Sequence, residues 1–242
     1  MKEITKGKQA NIRVEEVRHV PVIRKRIEIA DRASEYYQAL LHYREDLQAH
    51  DIRVPRLEGV ELDDTGITTT EEFIPSKDVA QNIEGRVNGW EQELHMVVDT
   101  VCRLSNGTQS SVFIDAKPDN WIVHKGRLHF IDLFPPPLKG KDGHVKPYTE
   151  EIYGRPKGFF TFTYGDIRGQ ITKLLAVLKL TDEDAYRKVA TSILDRVTEN
   201  VTGKSADYIK DQDSQGYPDL DAMYRDEAVM STLIPALLWY IS

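Results

Sequence analysis

The chain contains one cysteine, Cys102, in 242 residues, so an internal disulfide is excluded and a reducing, cytoplasmic setting is the expectation. Cys102 falls in a helical, partly apolar stretch, where a thiol packs as a small hydrophobe rather than serving as a nucleophile. No apolar run approaches the roughly 18 residues of a membrane span. The segment Met1-Lys2-Glu3-Ile4-Thr5-Lys6-Gly7-Lys8 has none of the apolar core of a signal peptide, so no membrane partner is expected. Positive charge is also in short supply, with 32 Lys and Arg against 39 Asp and Glu and a formal net charge of −7. Nucleic acids are held by Lys and Arg on phosphates, so the balance argues against such a partner; an acidic cleft would attract a cationic one. The histidines are scattered and have no cysteine partners at zinc spacing. No Gly-x-Ser-x-Gly elbow supports acyl transfer, and no internal repeat is present.

What is present is an ordinary globular mixture, 40% hydrophobic and 29% charged, long enough for one large or two small cores. Val14, Val17, Val20, Val22, Ile23 and Ile27 lie among charges with no helical stripe, which predicts two or three strands. Asp31 is a fair N-cap for a helix running to about His50 with Ala33, Tyr36, Tyr37, Leu40, Leu41 and Leu47 as its apolar stripe. Ile52 to Leu57 and Gly66 to Ile74 read as two further strands, the second strongly β-branched. Pro75-Ser76-Lys77-Asp78 breaks the pattern and marks a boundary. Beyond it, Trp90 to Leu104 has helical spacing and Ser105-Asn106-Gly107 ends it. A loop rich in Lys, Gly and Pro runs from Pro135 to about Phe162, and helices are expected over Asp166 to Leu178, Asp182 to Val201 and Leu220 to Tyr240.

The most informative stretch is Asp115-Ala116-Lys117-Pro118-Asp119-Asn120, followed by a strand-like run that ends in Ile131-Asp132. Asp115 and Asn120 are five positions apart in a polar turn, and Asp132 arrives twelve positions later behind Leu128-His129-Phe130-Ile131. Such a layout can bring two carboxylates and a carboxamide to one mouth of a hairpin. Mg²⁺ binds through oxygen ligands of this kind, one or two of them protein carboxylates, together with substrate phosphates. Pro, Asp and Asn also dominate plain turns for local backbone reasons, so the six residues are open to that account as well.

Asp115-x-Lys117-Pro118-x-Asn120 resembles the catalytic loop of the protein-kinase-like superfamily, and Asp132 falls where that superfamily carries its second metal-binding Asp. Ile52-Arg53-Val54-Pro55-Arg56-Leu57 resembles the short Val-Pro segment that follows the corresponding helix in the aminoglycoside-phosphotransferase and choline-kinase branch. No Ala-Pro-Glu-like motif closes the long loop, a departure from peptide kinases. The resemblance implies an α+β, two-lobed fold: a small antiparallel sheet with one helix over 1–75, carrying nucleotide, and a larger, mainly helical lobe over 76–242. The activity implied is transfer of the γ-phosphate of ATP, with Mg²⁺, to a hydroxyl of a small molecule such as an aminoglycoside-like antibiotic or metabolite. Two alternatives stand beside it: a catalytically silent kinase-like binding or scaffold protein, and a Ser/Thr protein kinase.

Roles carry over residue by residue. The resemblance implies that Asp115 orients the acceptor hydroxyl, Lys117 neutralises charge on the transferred group, and Asn120 and Asp132 hold Mg²⁺. Strand alternation puts Ile23, Lys25 and Ile27 on one face, with Arg24 and Arg26 turned away. Lys25 is thus expected to reach the α- and β-phosphates, with Glu35 as its ion-pair partner, and a solvated basic edge strand is the plainer account. Glu72, Phe73 and Ile74, before Pro75, are expected to form the hinge that reads adenine through backbone groups. Gly7-Lys8-Gln9-Ala10-Asn11 stands where the glycine-rich loop belongs but carries one glycine. Phe113 replaces the His usual two positions before the Asp, and Leu133-Phe134-Pro135 follows Asp132 in place of Phe-Gly. Asp166 resembles the Asp that braces the catalytic loop from below, and is also an N-cap in its own right. Trp121 is a possible wall of the acceptor cleft.

Overall fold

The alternation read in the first segment produces a five-stranded antiparallel sheet of order β1-β2-β3-β5-β4, formed by β1 (Lys2–Lys6), β2 (Asn11–Val17), β3 (Val20–Glu28), β4 (Leu57–Asp63) and β5 (Gly66–Glu72). The computed structural model describes residues 2–6, 11–29, 33–106, 109–110, 112–133, 159–201 and 203–217. Outside them lie the expected Gly7 to Ala10 turn, the Asp31 cap, Gly107, most of the loop after Pro135 and the Leu220 to Tyr240 helix.

On β3, Lys25 and Ile27 are buried, while Arg24 and Arg26 point away to acidic partners. Arg24 meets Glu15 and Glu61, and Arg26 meets Asp63 at 2.9 Å. The β4–β5 turn is built by Asp63, whose Oδ1 accepts hydrogen bonds from the N–H groups of Thr65 (2.8 Å) and Gly66 (2.9 Å). Arg26 and these Thr65 hydrogen bonds hold the Asp63 carboxyl well below the ordinary Asp range. The strand expected over Ile52 to Leu57 instead begins at Leu57 and runs to Asp63. Pro55 has no N–H to donate to a ladder, and the Asp63 turn fixes where the chain reverses. Helix α1 (Ala33–Ala49) packs on β4 and β5 with Ala33, Tyr36, Ala39, Leu40, Tyr43, Arg44 and Leu47 buried. Its inward stripe is rotated from the expected one, taking in Tyr43 and Arg44 in place of Tyr37 and Leu41.

The helical part contains α2 (Val79–Glu84), α3 (Trp90–Leu104), α4 (Phe159–Gly165), α5 (Ile167–Thr181), α6 (Glu183–Asn200) and α7 (Gly203–Gln215). In α3, Trp90, Leu94, Val97, Val98, Val101 and Cys102 recur at helical period and are all buried. Burial pushes the Cys102 thiol up to about 12, consistent with a packing role. Asp166 and Asp182 cap α5 and α6 through Arg168 N and Ala185 N. Helix α5 packs against α3, α4, α6 and α7, which explains its run of buried Ile167, Ile171, Leu174, Leu175 and Leu178. Helix α4 starts at Phe159, within what the sequence read as loop, because its aromatic residues give no clear period; α2 and α7 were likewise missed.

A 3₁₀ turn (Pro118–Asn120) leads into the hairpin β8 (Trp121–His124) and β9 (Arg127–Phe130), with a short pair β6 (Ser105–Asn106) and β7 (Gln109–Ser110) earlier in the chain. Lys125 and Gly126 make the β8–β9 turn with positive φ at both positions (51° and 71°), where glycine takes the second without steric cost. The chain clusters into two compact units, Met1–Lys77 with Ile122–Pro136, and Asp78–Trp121 with Pro137–Ser242. The hairpin joins the first unit through Phe130 N donating to Arg53 O (2.8 Å), a Ser76 Oγ to His124 Nδ1 bond (2.9 Å) and a contact from Lys25. Among the described residues, no helix is long and apolar enough to cross a membrane.

Candidate functional site

Lys25 is a buried cation of the first unit. Its Nζ lies 2.9 Å from Glu71 Oε2, and the two side chains are 9% and 1% exposed. The same Nζ donates to Ile131 O at 2.8 Å, across 106 residues of chain. Register explains the first contact: Lys25 stands opposite Thr69 on β5, and Glu71 is the next residue on the same face. The expected partner, Glu35, is corrected by this geometry. Glu35 lies on the exposed side of α1, while the carboxylate that reaches Lys25 comes from the neighbouring strand. Arg44, buried on α1, donates to Pro55 O, and Glu71 partly offsets the downward pull of burial on the Arg44 guanidinium. Ile131 immediately precedes Asp132, so Lys25 grips the backbone at the half-buried metal-ligand candidate.

Glu72 closes β5, with its N–H donating to Arg56 O at 2.8 Å and its carboxylate accepting from Arg56 N at 3.3 Å. Phe73 is half-buried, Ile74 is buried, and Ile74 O accepts from Ser76 N at 2.8 Å. Of the expected hinge residues, Glu72 thus ends the ladder opposite Val22 while Phe73 and Ile74 follow it outside the sheet, with the Glu72 N–H and the Ile74 C=O already engaged within the unit.

In the second unit, the turn gathers Asp115, Lys117 and Asn120. Asn120 Nδ2 donates to Asp115 O (3.3 Å) and Lys117 N to Asp115 Oδ1 (3.3 Å), which curls the loop on itself. Lys117 Nζ stands 3.6 Å from both Asp115 Oδ2 and Asp119 Oδ2. The strongest contact on Asp115 comes from a residue absent from the sequence reading: Lys173 of α5 donates to Oδ2 at 2.9 Å, with both side chains under a tenth exposed. Burial alone would raise the Asp115 carboxyl, but Lys173 and then Lys117 outweigh it and hold it below the ordinary Asp range. Burial lowers the Lys173 ammonium, and Asp115 offsets part of that.

The loop is braced from α4 and α5 at three consecutive residues. Phe113 packs its ring against Gly165, where an added Cβ would sit 1.6 Å from the ring Cε1. Ile114 N donates to Tyr164 O (3.0 Å), and Gln170 Nε2 donates to Ile114 O (3.4 Å) and also to Tyr164 O. Asp115 takes Lys173. Asp166, expected to brace the loop, caps α5 and is forked by Arg168 Nη2 at 2.6 Å; Gln170 and Lys173, one and two turns further on, make the bracing contacts. A lysine inside the apolar run Ile171-Thr172-Lys173-Leu174-Leu175 was the signal that could have found it. Trp121, expected as a cleft wall, is 1% exposed and belongs to the core.

Asn120 donates through Nδ2, so its carboxamide oxygen, a ligand type that Mg²⁺ takes, is its acceptor end, and Asp132 is a half-buried carboxylate of the first unit. Among the described residues no group of three or more His, Cys, Asp and Glu is placed to hold a metal ion. Compared with known proteins, the chain matches no protein-family model, and the search of curated proteins returns no significant match.

Proposed function

We propose that this protein is an ATP- and Mg²⁺-dependent phosphotransferase of the protein-kinase-like, two-lobed type, acting on a hydroxyl of a small molecule. The observation that carries the proposal is the Lys25 ammonium, which is buried, ion-paired to Glu71 and hydrogen-bonded to the carbonyl beside Asp132. A lysine so held has a fixed position and direction, which is what contact with the α- and β-phosphates of a nucleotide requires. Glu71 takes the role first given to Glu35. Glu72, Phe73 and Ile74 are the adenine-side segment. Asn120 and Asp132 would hold Mg²⁺, which supplies neutralisation of phosphate charge when bound. Asp115 orients the acceptor hydroxyl and accepts its proton, and Lys117, half-exposed beside it, counters charge on the group in transfer. A small-molecule acceptor is favoured over a peptide by the missing Ala-Pro-Glu-like motif.

The second reading is a catalytically silent kinase-like binding protein, favoured by one observation: Asp115 is 1% exposed and already engaged by Lys173. One experiment separates the two. Thermal melts with ATP, alone and with Mg²⁺ or Mn²⁺, are run beside phosphoryl transfer from labelled ATP to a panel of aminoglycosides, amino alcohols, sugars and nucleosides. The phosphotransferase gives an appreciable upward shift only with metal, loses that metal dependence in Asp132→Ala, and phosphorylates at least one acceptor class. Asp115→Asn keeps ATP–Mg²⁺ affinity and lowers turnover roughly a hundredfold or more. Metal-dependent ATP binding with no product across the panel establishes the silent reading. Equal ATP stabilisation with and without metal in both proteins defeats both.

A further inference from the structure

We propose that Lys173 is a positioning residue of the phosphotransferase site: it fixes the Asp115 carboxylate in the orientation that meets the acceptor hydroxyl. This rests on the reading of Asp115 given above. A lysine is almost never buried unless paired, and Lys173 is buried in α5 among Ile171, Leu174 and Leu175, each 0% exposed. Its ammonium has two partners, Asp115 Oδ2 at 2.9 Å and the face of the Tyr164 ring at 4.6 Å from the centroid. Both interactions favour the charged form.

The contacts on the carboxylate are unequal. Among the described residues, Oδ2 carries Lys173 at 2.9 Å and Lys117 Nζ at 3.6 Å, whereas Oδ1 has one long backbone contact, Lys117 N at 3.3 Å. A carboxylate has about four lone-pair sites, so Oδ1 is the oxygen with capacity for a hydroxyl, and the Lys173 bond sets which way it faces.

The two lysines divide the work. Lys117 is 30% exposed and equidistant from Asp115 and Asp119 at 3.6 Å, so it can swing to the phosphoryl group. Lys173 cannot follow, because its stem is enclosed in the helix packing; it stays on Asp115 throughout the cycle. Phe113 and Gln170 secure the loop backbone. Lys173 is the group from α5 that secures the side chain itself.

The test uses the full chain and the labelled-ATP acceptor panel described above, with Lys173→Met, Lys173→Arg, Asp115→Asn and the double variant Asp115→Asn/Lys173→Met. Methionine keeps the length of the stem without the charge. Lys173→Met is expected to lower kcat at least about tenfold, since small misplacements of a catalytic group cost up to about 10²-fold. KM for ATP–Mg²⁺ and calorimetric ATP affinity should stay within about twofold. Lys173→Arg should recover part of the lost kcat. The double variant should turn over no more slowly than Asp115→Asn alone, because Lys173 acts only through the carboxylate. Should Lys173→Met fail to fold, the neutral pair in the double variant and the charge-conserving Lys173→Arg carry the comparison. Wild-type kcat in Lys173→Met, or a further tenfold loss in the double variant, overturns the inference while leaving the phosphotransferase intact. Absence of product from the wild type on every acceptor class overturns the phosphotransferase, and the positioning role with it.

Discussion

Replacing Glu71 by Gln removes, among the described residues, the carboxylate paired with the Lys25 ammonium, on a side chain that is itself 9% exposed. Breaking a buried pair by removing one partner costs about 3–5 kcal/mol. Lys25 keeps its 2.8 Å bond to Ile131 O, and the glutamine oxygen can still accept, so the cost falls near the lower end, about 3 kcal/mol. At 1.4 kcal/mol per tenfold, that raises opening of the β3–β5 ladder by roughly 100-fold. Glu35→Gln, at an exposed position in the first turn of α1, leaves the Lys25–Glu71 pair in place and should change exchange in β3 and β5 far less. Native-state amide exchange, read by mass spectrometry on peptides covering β3 and β5, separates the two. The double replacement Lys25→Met/Glu71→Leu should return protection to within about tenfold of wild type, since apolar pairs of similar volume substitute well for buried ion pairs. Exchange in Glu71→Gln indistinguishable from wild type, or equal acceleration by Glu35→Gln, would refute the assignment of Glu71 as the partner.

Gly165→Ala places a Cβ 1.6 Å from Phe113 Cε1, so the ring and the loop behind it must move. The expected cost is about 1–3 kcal/mol in urea unfolding, with turnover falling more than ATP affinity; equal stability of variant and wild type refutes the close approach. Asp78, which caps α2 through Gln81 N at 2.7 Å, is pushed up to about 6, chiefly by burial and also by the charge of Asp119. Its folded-state pKa exceeds the unfolded value near 4, so the native state binds more protons in that window and stability falls as pH rises from about 4 to about 6. Asp78→Asn keeps the cap and should flatten this part of the pH–stability curve; an unchanged slope assigns the dependence to other groups.

What could be read from the sequence was local. Period and capping place α3, α5 and α6 within a few residues, because Trp90 to Cys102 repeats at helical spacing and Asp166 and Asp182 each accept a hydrogen bond from the first turn they precede. Strand alternation sorts Lys25 from Arg24 and Arg26, since the two faces of a strand are set by the backbone alone. The Asp115-to-Asn120 turn is likewise a short-range object, closed by bonds between residues at most five apart. Partners across elements were another matter. Glu35 lies ten positions from Lys25 and Glu71 46 positions away, and the β3–β5 register, which pairs Lys25 with Thr69, decides for Glu71. Lys173 is 58 residues from Asp115, and nothing in its own apolar neighbourhood says which charge it meets. The strand expected over Ile52 to Leu57 lies further along, at β4, because Glu58, Glu61 and Asp63 leave Leu57–Asp63 no apolar face to mark it. In each case the deciding quantity is the electrostatic and packing energy of residues distant along the chain, which takes a value only once the sheet register and the seat of α5 are set.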